Sequence, residues 1–156
     1  MDKPRLLDSG LVATVMKYGS RANAWIYRRT NGKVGGSWRV GAGFRKPVPT
    51  LLLEHTGRRS GKTFTAPLLY ITDGADIVVV GSQGGKADHP QWYLNLLAHP
   101  AAHVQIGSER KAVVARAADD AERERLWPRL VEAYADFDTY QSWTQRRIPV
   151  VLLSPA

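Results

Sequence analysis

Residues 51–85, LLLEHTGRRSGKTFTAPLLYITDGADIVVVGSQGG, constrain the fold more than any other part of the chain. They read as three strands joined by two turns. Leu51, Leu52 and Leu53 lead into a turn carrying Gly57, Arg58, Arg59, Ser60, Gly61 and Lys62, and a second β-rich run follows over residues 64–72. Three cations therefore share one tight turn. The segment TGRRSGKT resembles a P-loop only at first sight, because that motif has four residues between the glycine and the Gly-Lys pair, and three separate Gly57 from Gly61. A P-loop must also open a helix that faces the phosphates. Here the following residues are β-branched and aromatic and include Pro67, so the turn belongs to a hairpin.

The rest of the chain is arranged around this unit. Between Ser9 and Arg29, apolar residues at Leu11, Val12, Val15, Met16, Ala22 and Ile26 have helical spacing, with Lys17, Arg21 and Arg28 around the other side. Residues 30–48 hold five glycines and little periodicity, and read as a loop in which Trp38 and Phe44 are candidate substrate contacts or anchors. Ser82, Gln83, Gly84 and Gly85 form a polar bend. Asp88 or His89 then caps a helix with Pro90 in its first turn, stopped by His99 and Pro100. Residues 102–106 and 111–117 alternate as a second hairpin about Gly107 and Ser108. Asp119 and Glu122 fit a capping box for a helix through Tyr134, and a short amphipathic piece around Phe137, Tyr140 and Trp143 precedes a last buried strand at residues 148–153. Six mainly antiparallel strands with helices inserted between hairpins predict an α+β barrel or sandwich. Residues 1–48 form a basic helix and loop, residues 49–156 the barrel domain, and 156 residues are about one structural unit in all.

Charge is unevenly placed. Residues 1–50 hold ten Lys or Arg against two acids, residues 51–100 four against four, and residues 101–156 eight against eight, so the whole net charge of +8 lies in the first third. That asymmetry suits an anionic partner: a membrane surface, an acidic cofactor tail or nucleic acid. The chain has no cysteine, which excludes disulfides and thiolate metal sites. With no apolar run long enough for a signal or a span, the expectation is a cytoplasmic protein, in contact at most with the inner membrane face.

The chemistry is notable for what is missing. His55, His89, His99 and His103 lack metal-ligand spacing, no G-x-S-x-G elbow is present, and no pair of acids stands out, so neither a metal site nor a hydrolase is expected. Cations, glycine bends and aromatic residues are instead the lining of a cofactor site.

The ordered motifs TGRRSG, Pro67-Leu68, GSQGG, PQWYLNL at residues 90–96, Y-x-x-F-x-x-Y-Q-S-W at residues 134–143 and IPVV at residues 148–151 resemble the deazaflavin-dependent nitroreductases of the flavin/deazaflavin oxidoreductase superfamily, group A. The resemblance covers nearly the whole chain from about residue 20. It implies a split β-barrel, coenzyme F420, and hydride transfer from the reduced deazaflavin to a quinone, an activated enone or a nitroaromatic. By position it implies that Arg58, Arg59, Ser60 and Lys62 meet the phosphate and acidic tail, and that Phe64, Thr65, Ala66, Pro67, Leu68 and Leu69 line the ring. Val80, Gly81, Ser82 and Gln83 contact the ring and its ribityl chain, while Gln91, Trp92, Tyr93, Leu94 and Asn95 close the phosphate end. Ser82, Tyr134, Phe137 and Tyr140 face the acceptor. Phe137 and Gln83 stand where the typical member has tyrosine and lysine. Read without the resemblance, the tyrosine rings simply fill the core. An FMN-binding split-barrel oxidoreductase is the alternative, and a membrane-peripheral or nucleic-acid-binding module a third. On the favoured reading the partners are a small-molecule acceptor and an anionic membrane met through residues 1–48, without nucleic acid, in a monomer or homodimer.

Overall fold

The computed structural model describes residues 22, 24–30, 37–38 and 48–156. The apolar run at residues 51–53 is the middle of a nine-residue strand, β2 (Val48–Thr56), which the two-residue β1 (Ser37–Trp38) joins at Val48 and Pro49. β2 pairs from Thr50 to Thr56 with the whole of β3 (Thr63–Leu69), and with β6 (Ala101–Ile106) through Leu52, Leu53 and Glu54. From β6 the sheet continues through β7 (Glu109–Ala117), β8 (Val150–Pro155) and β5 (Asp76–Val80) to β4 (Ile71–Asp73), every pair antiparallel.

Eight strands thus replace the six expected, for two reasons. A short strand forms inside the glycine-rich segment, and the run over residues 64–72 divides at Tyr70 into β3 and β4, which pair with different neighbours. The hydrogen-bonded sheet does not close on itself as a barrel: β3, which branches from β2, and the end strand β4 are joined by the chain through Tyr70 and not by a ladder.

Two cores explain why several strands read as unbroken apolar runs. Leu51, Leu53, Ile77, Val79, Val151 and Leu153 face one core with Trp92 and Leu96, whereas Val78, Val80, Val150 and Leu152 face a second with Leu126, Leu130, Tyr134 and Phe137. β5 and β8 are covered on both sides, so alternation disappears from their sequences. The first core is closed by α2 (Gln91–Ala98). The second is closed by α3 (Asp120–Ala133) and α4 (Asp136–Trp143). α2 begins one residue later than its sequence suggests, because Pro90 is itself the extended N-cap and its carbonyl accepts from Tyr93 and Leu94. α3 has its capping box, with Glu122 N–H donating to Asp119 Oδ1 at 2.8 Å and Asp119 N–H to Glu122 Oε1 at 3.2 Å.

Of the predicted N-terminal helix, residues 22 and 24–29 are helical (α1), and residues 9–21 and 23, like Phe44, lie outside the described residues. The packed face of α1 differs from the expected one. Ala24 and Tyr27 are buried against Leu52, while Ala22 and Ile26 are exposed. Tyr27 is placed by its hydroxyl, which accepts from Gly107 N–H (2.8 Å) and donates to Gln105 O (3.3 Å).

Two local structures position the cavity described below. In the turn between β2 and β3, Gly57 N–H donates to Lys62 O at 2.8 Å, and Asn95 of α2 ties the turn down: its Oδ1 accepts from Arg58 N–H (3.1 Å) and Arg58 Nη1 (2.8 Å). Asn95 Nδ2 meets His55 Nδ1 at 3.0 Å, which makes this imidazole nitrogen the acceptor and the ring neutral. Burial holds the His55 pKa down to about 4. The second structure follows β5, where Gln83, Gly84 and Gly85 form a 3-10 turn with φ of 45°, 61° and 75°.

Unfolded histidine titrates near its ordinary 6.5, so between that value and about 4 the unfolded chain binds the extra proton and His55 stability is lost as pH falls. Urea unfolding is expected to give lower stability at pH 5 than at pH 7, with a smaller difference in His55→Gln; equal pH dependence in the two proteins would contradict this. A Cβ on Gly85 would lie 2.8 Å from Tyr140 O at a φ that disfavours side chains. Gly85→Ala should therefore lose about 2–4 kcal/mol in the same measurement, and an unchanged midpoint would refute it.

Candidate active site

The register of β2 and β3 decides which backbone groups of β3 are free. Antiparallel pairs alternate between those that exchange hydrogen bonds and those that do not. Gly57 N–H donates to Lys62 O at one end and Tyr70 N–H to Pro49 O at the other, which makes the pairs His55–Phe64, Leu53–Ala66 and Leu51–Leu68 the bonded ones. Thr65, Pro67 and Leu69 therefore turn their backbone groups away from β2, and among the described residues no strand pairs with that edge. Pro67 is tolerated in β3 because its nitrogen falls on the unpaired side, where no ladder bond is lost.

A cavity of about 1070 Å³ runs along this edge. Phe64, Thr65, Ala66, Pro67, Leu68 and Leu69 all line it, although alternate side chains of a strand point to opposite faces, so the cavity must face the strand edge-on. At about 3.3 Å per residue the six positions span roughly 17 Å. At one end stand Arg58, Arg59 and Ser60 from the turn, with Gln91, Trp92 and Asn95 from α2; among the described residues no acidic one lines the cavity.

At the other end stand Tyr134, Phe137 and Tyr140, together with Val80, Ser82 and Gln83. The Tyr134 and Tyr140 hydroxyls are 3.2 Å apart, and Phe137 meets Tyr134 edge to face at 5.1 Å between centroids. Burial is the main cause that raises both tyrosine pKa values, Tyr134 far above its ordinary value, and their mutual hydrogen bond and Asp136 raise Tyr134 further. Both hydroxyls are thus protonated at neutral pH, and one of the two protons is spent on the bond between them, in which either can be the donor. Tyr134 and Phe137 also belong to the second core, so the two readings of these rings, core filler and cavity wall, hold together.

Four residues assigned to the site by resemblance are not in its wall. Lys62 is exposed beyond the turn, and Gly81 is pressed against Pro149, where a Cβ would lie 2.7 Å from Cγ. Tyr93 packs on the His89 ring at 4.9 Å, and Leu94 faces away from the cavity on the half-buried side of α2. The wall also contains residues outside the assigned set: Gly57, Gly84 and Pro90, which belong to the motifs already named, and Thr50 and His55, which no motif includes. Thr50 is the informative one, because its Oγ1 is buried without a hydrogen-bond partner. No motif marks it, since a threonine at the start of an apolar strand reads as ordinary β-former. His55 gave no signal either, being a lone histidine at the end of the same run. Among the described residues no group of His, Asp or Glu is arranged to hold a metal ion, and no helix is long and apolar enough to cross a membrane.

Residues 19–155 match the family described as F420H(2)-dependent quinone reductase. The chain is 63% identical over 117 residues to Rv3178 of Mycobacterium tuberculosis, whose name assigns it to the same reductases, covering 75% of this chain and 98% of that protein. Among solved structures it is similar to an F420-H2 dependent reductase (FDR-A), with a TM-score of 0.63 and 37% identity over 68% of this chain and 94% of the other. It is also similar to a protein solved as a domain-swapped dimer, with a TM-score of 0.65 and 31% identity over 89% and 98% of the two chains. The sheet, the two-ended cavity and a match over almost the full length agree, and the chain belongs to the F420H(2)-dependent quinone reductase family.

Proposed function

We propose that this chain passes a hydride from reduced coenzyme F420 to a quinone, with activated enones and nitroaromatics as further acceptors of the same electron-poor kind. The observation that carries the reading is the polarity of the cavity, with arginines at one end, tyrosine hydroxyls at the other and an unpaired strand edge between them.

The residues present fit the cofactor. Arg58 and Arg59 offer planar forks to a phosphate and an acidic tail, Ser60 adds a hydroxyl, and Lys62 contributes a point charge beside them. A flat ring suits the edge of β3, where Thr65 and Leu69 present N–H groups and Pro67 a carbonyl, and Val80, Ser82 and Gln83 close the other side. The unpartnered Thr50 hydroxyl is a buried polar atom that a ligand in this wall would satisfy. Gln91, Trp92 and Asn95 complete the cationic end. The sheet whose ends meet through Tyr70 then corresponds to a split barrel.

When bound, the cofactor supplies the hydride from carbon 5 of its reduced ring. The protein orients the acceptor against that ring and excludes water. The Ser82 hydroxyl donates to the acceptor oxygen as negative charge develops there. The Tyr134–Tyr140 hydroxyl pair, held protonated, adds a second donor at the same oxygen through one of its members, and Phe137 packs against the acceptor without offering a hydroxyl.

FMN is the second reading, since a cationic turn serves any phosphate. Titration with oxidised F420 and FMN in parallel is expected to show tight deazaflavin binding and weak FMN binding. Arg59→Ala should weaken F420 at least about tenfold, the loss of a charge-assisted bond of about 1.5–3 kcal/mol. Arg59 suits the test because it is exposed, whereas Arg58 also holds Asn95. Binding of FMN alone, or an affinity indifferent to Arg59, would overturn the reading.

A further inference from the structure

We propose that Arg146 is a positioning residue for the reaction, its guanidinium fork shaping the turn that carries Ser82 and Gln83 into the cavity wall. Arg146 lies between α4 and β8 and does not line the cavity. Its Nε donates to Lys86 O (2.9 Å), its Nη1 to Gly81 O (3.1 Å) and to His89 Nδ1 (3.1 Å), and its Nη2 to Ser82 O (2.8 Å). One side chain thereby gathers the carbonyls at the entry and the exit of a single turn.

That turn needs such a clamp. Gln83 has a φ of 45°, a left-handed conformation that a residue with a Cβ adopts only when its surroundings hold it there, and Gly84 and Gly85 continue in the same region. The turn's own bonds are two, Gly85 N–H to Ser82 O (2.9 Å) and Lys86 N–H to Gln83 O (3.3 Å). Ser82 O accepts from Gly85 and from Arg146 together, so both of its lone pairs are engaged.

Among the described residues no carboxylate forms an ion pair with Arg146, and four of its five donors go to groups of the segment between Gly81 and His89. A lysine could supply the charge but not this planar arrangement.

The clamp is itself anchored to the aromatic end of the cavity. Gln141 of α4 donates from Nε2 to Arg146 O (2.8 Å), while its Oε1 accepts from Ile148 N–H (2.9 Å) and from Arg123 of α3 (3.0 Å). Tyr140, one residue earlier, packs its backbone on Gly85. α4 therefore fixes the tyrosine hydroxyl directly and Ser82 through Arg146, which sets the two donors of the acceptor site relative to each other.

The kinetic part of the test rests on the function proposed above; the exchange part does not. Arg146→Gln, Arg146→Lys, Ser82→Ala and the Arg146→Gln/Ser82→Ala double variant are compared with the wild type. In cofactor-free protein, amide exchange at Gly85 and Lys86 should accelerate about tenfold or more in Arg146→Gln while amides of β6 and β7 keep their rates. With reduced F420 and menadione, kcat should fall about tenfold or more while the F420 Kd changes less than about threefold. Adding Arg146→Gln to Ser82→Ala should cost less than about twofold further, because both changes act through one turn. Arg146→Lys should resemble Arg146→Gln.

Additive kcat losses, unchanged exchange at Gly85 and Lys86, or full recovery with lysine would each overturn the proposal. If the wild type bound no F420, the functional reading would fail, and the exchange rates would still decide whether Arg146 holds the turn.

Discussion

The ladder between β2 and β3 is the interaction on which the site depends. Its register, Leu53 opposite Ala66, turns Thr65, Pro67 and Leu69 outward, and a slip of one residue would present the alternate set of groups and exchange the faces of Leu51 and Leu53 with that of Leu52. The register is fixed from both ends. The tight turn at Gly57 to Lys62 is pinned to α2 by Asn95, and at the other end Tyr70 N–H is bonded to Pro49 O before the chain leaves for β4. Because β3, among the described residues, has a partner on one side only, its second edge is free to form the wall of a cavity. An unpaired edge is ordinarily a hazard of unwanted strand pairing. Here it faces a cavity whose other walls come from α2, the Ser82 turn and α4, and Pro67 removes one donor from it.

Around this edge the two ends of the cavity are built by different physical means. The cationic end is a hydrogen-bonded knot, in which neutral His55 holds the Asn95 amide in the orientation that presents its oxygen to Arg58. A protonated His55 would reverse that amide and face its NH₂ toward a guanidinium, so the low pKa produced by burial keeps the knot in one state across the neutral range. The aromatic end is packed rather than knotted. Tyr134 and Phe137 are core residues of the α3 and α4 layer, and their rings are positioned by Leu126, Leu130 and Val80 as much as by each other.

Much of this was legible in residues 51–85, because turn chemistry and β-branched runs are local signals: the hairpin, the cationic turn and the rejection of a P-loop all follow from them. The capping box at Asp119 and Glu122 was legible for the same reason. What the sequence did not disclose depends on long-range pairing. The division of the second strand at Tyr70 is decided by β2 and β5 competing for one run of chain, and nothing between Phe64 and Thr72 marks it. The start of α2 moved by one residue because Pro90 stands at the boundary, where either assignment satisfies its missing N–H. Ala24 and Tyr27 displaced Ala22 and Ile26 as the buried face of α1 because Tyr27 reaches across to Gln105 and Gly107. Thr50, His55 and Arg146 carried no motif: His55 matters through Asn95, 40 positions away, Arg146 through groups 57 to 65 positions away, and Thr50 through a buried hydroxyl that no residue of the wall satisfies. The candidate cofactor residues came from resemblance, and the cavity gathers most of them without Lys62, Gly81, Tyr93 and Leu94.

The most direct measurement is amide chemical-shift mapping of ¹⁵N-labelled protein during titration with oxidised F420. A ring seated on the free edge should move the Thr65 and Leu69 amides most within β3 and slow their exchange with water, while Phe64, Ala66 and Leu68, already bonded to β2, shift less. Shifts concentrated on α1, or spread over β6 and β7 with Thr65 and Leu69 unmoved, would contradict the claim that the unpaired edge of β3 holds the cofactor.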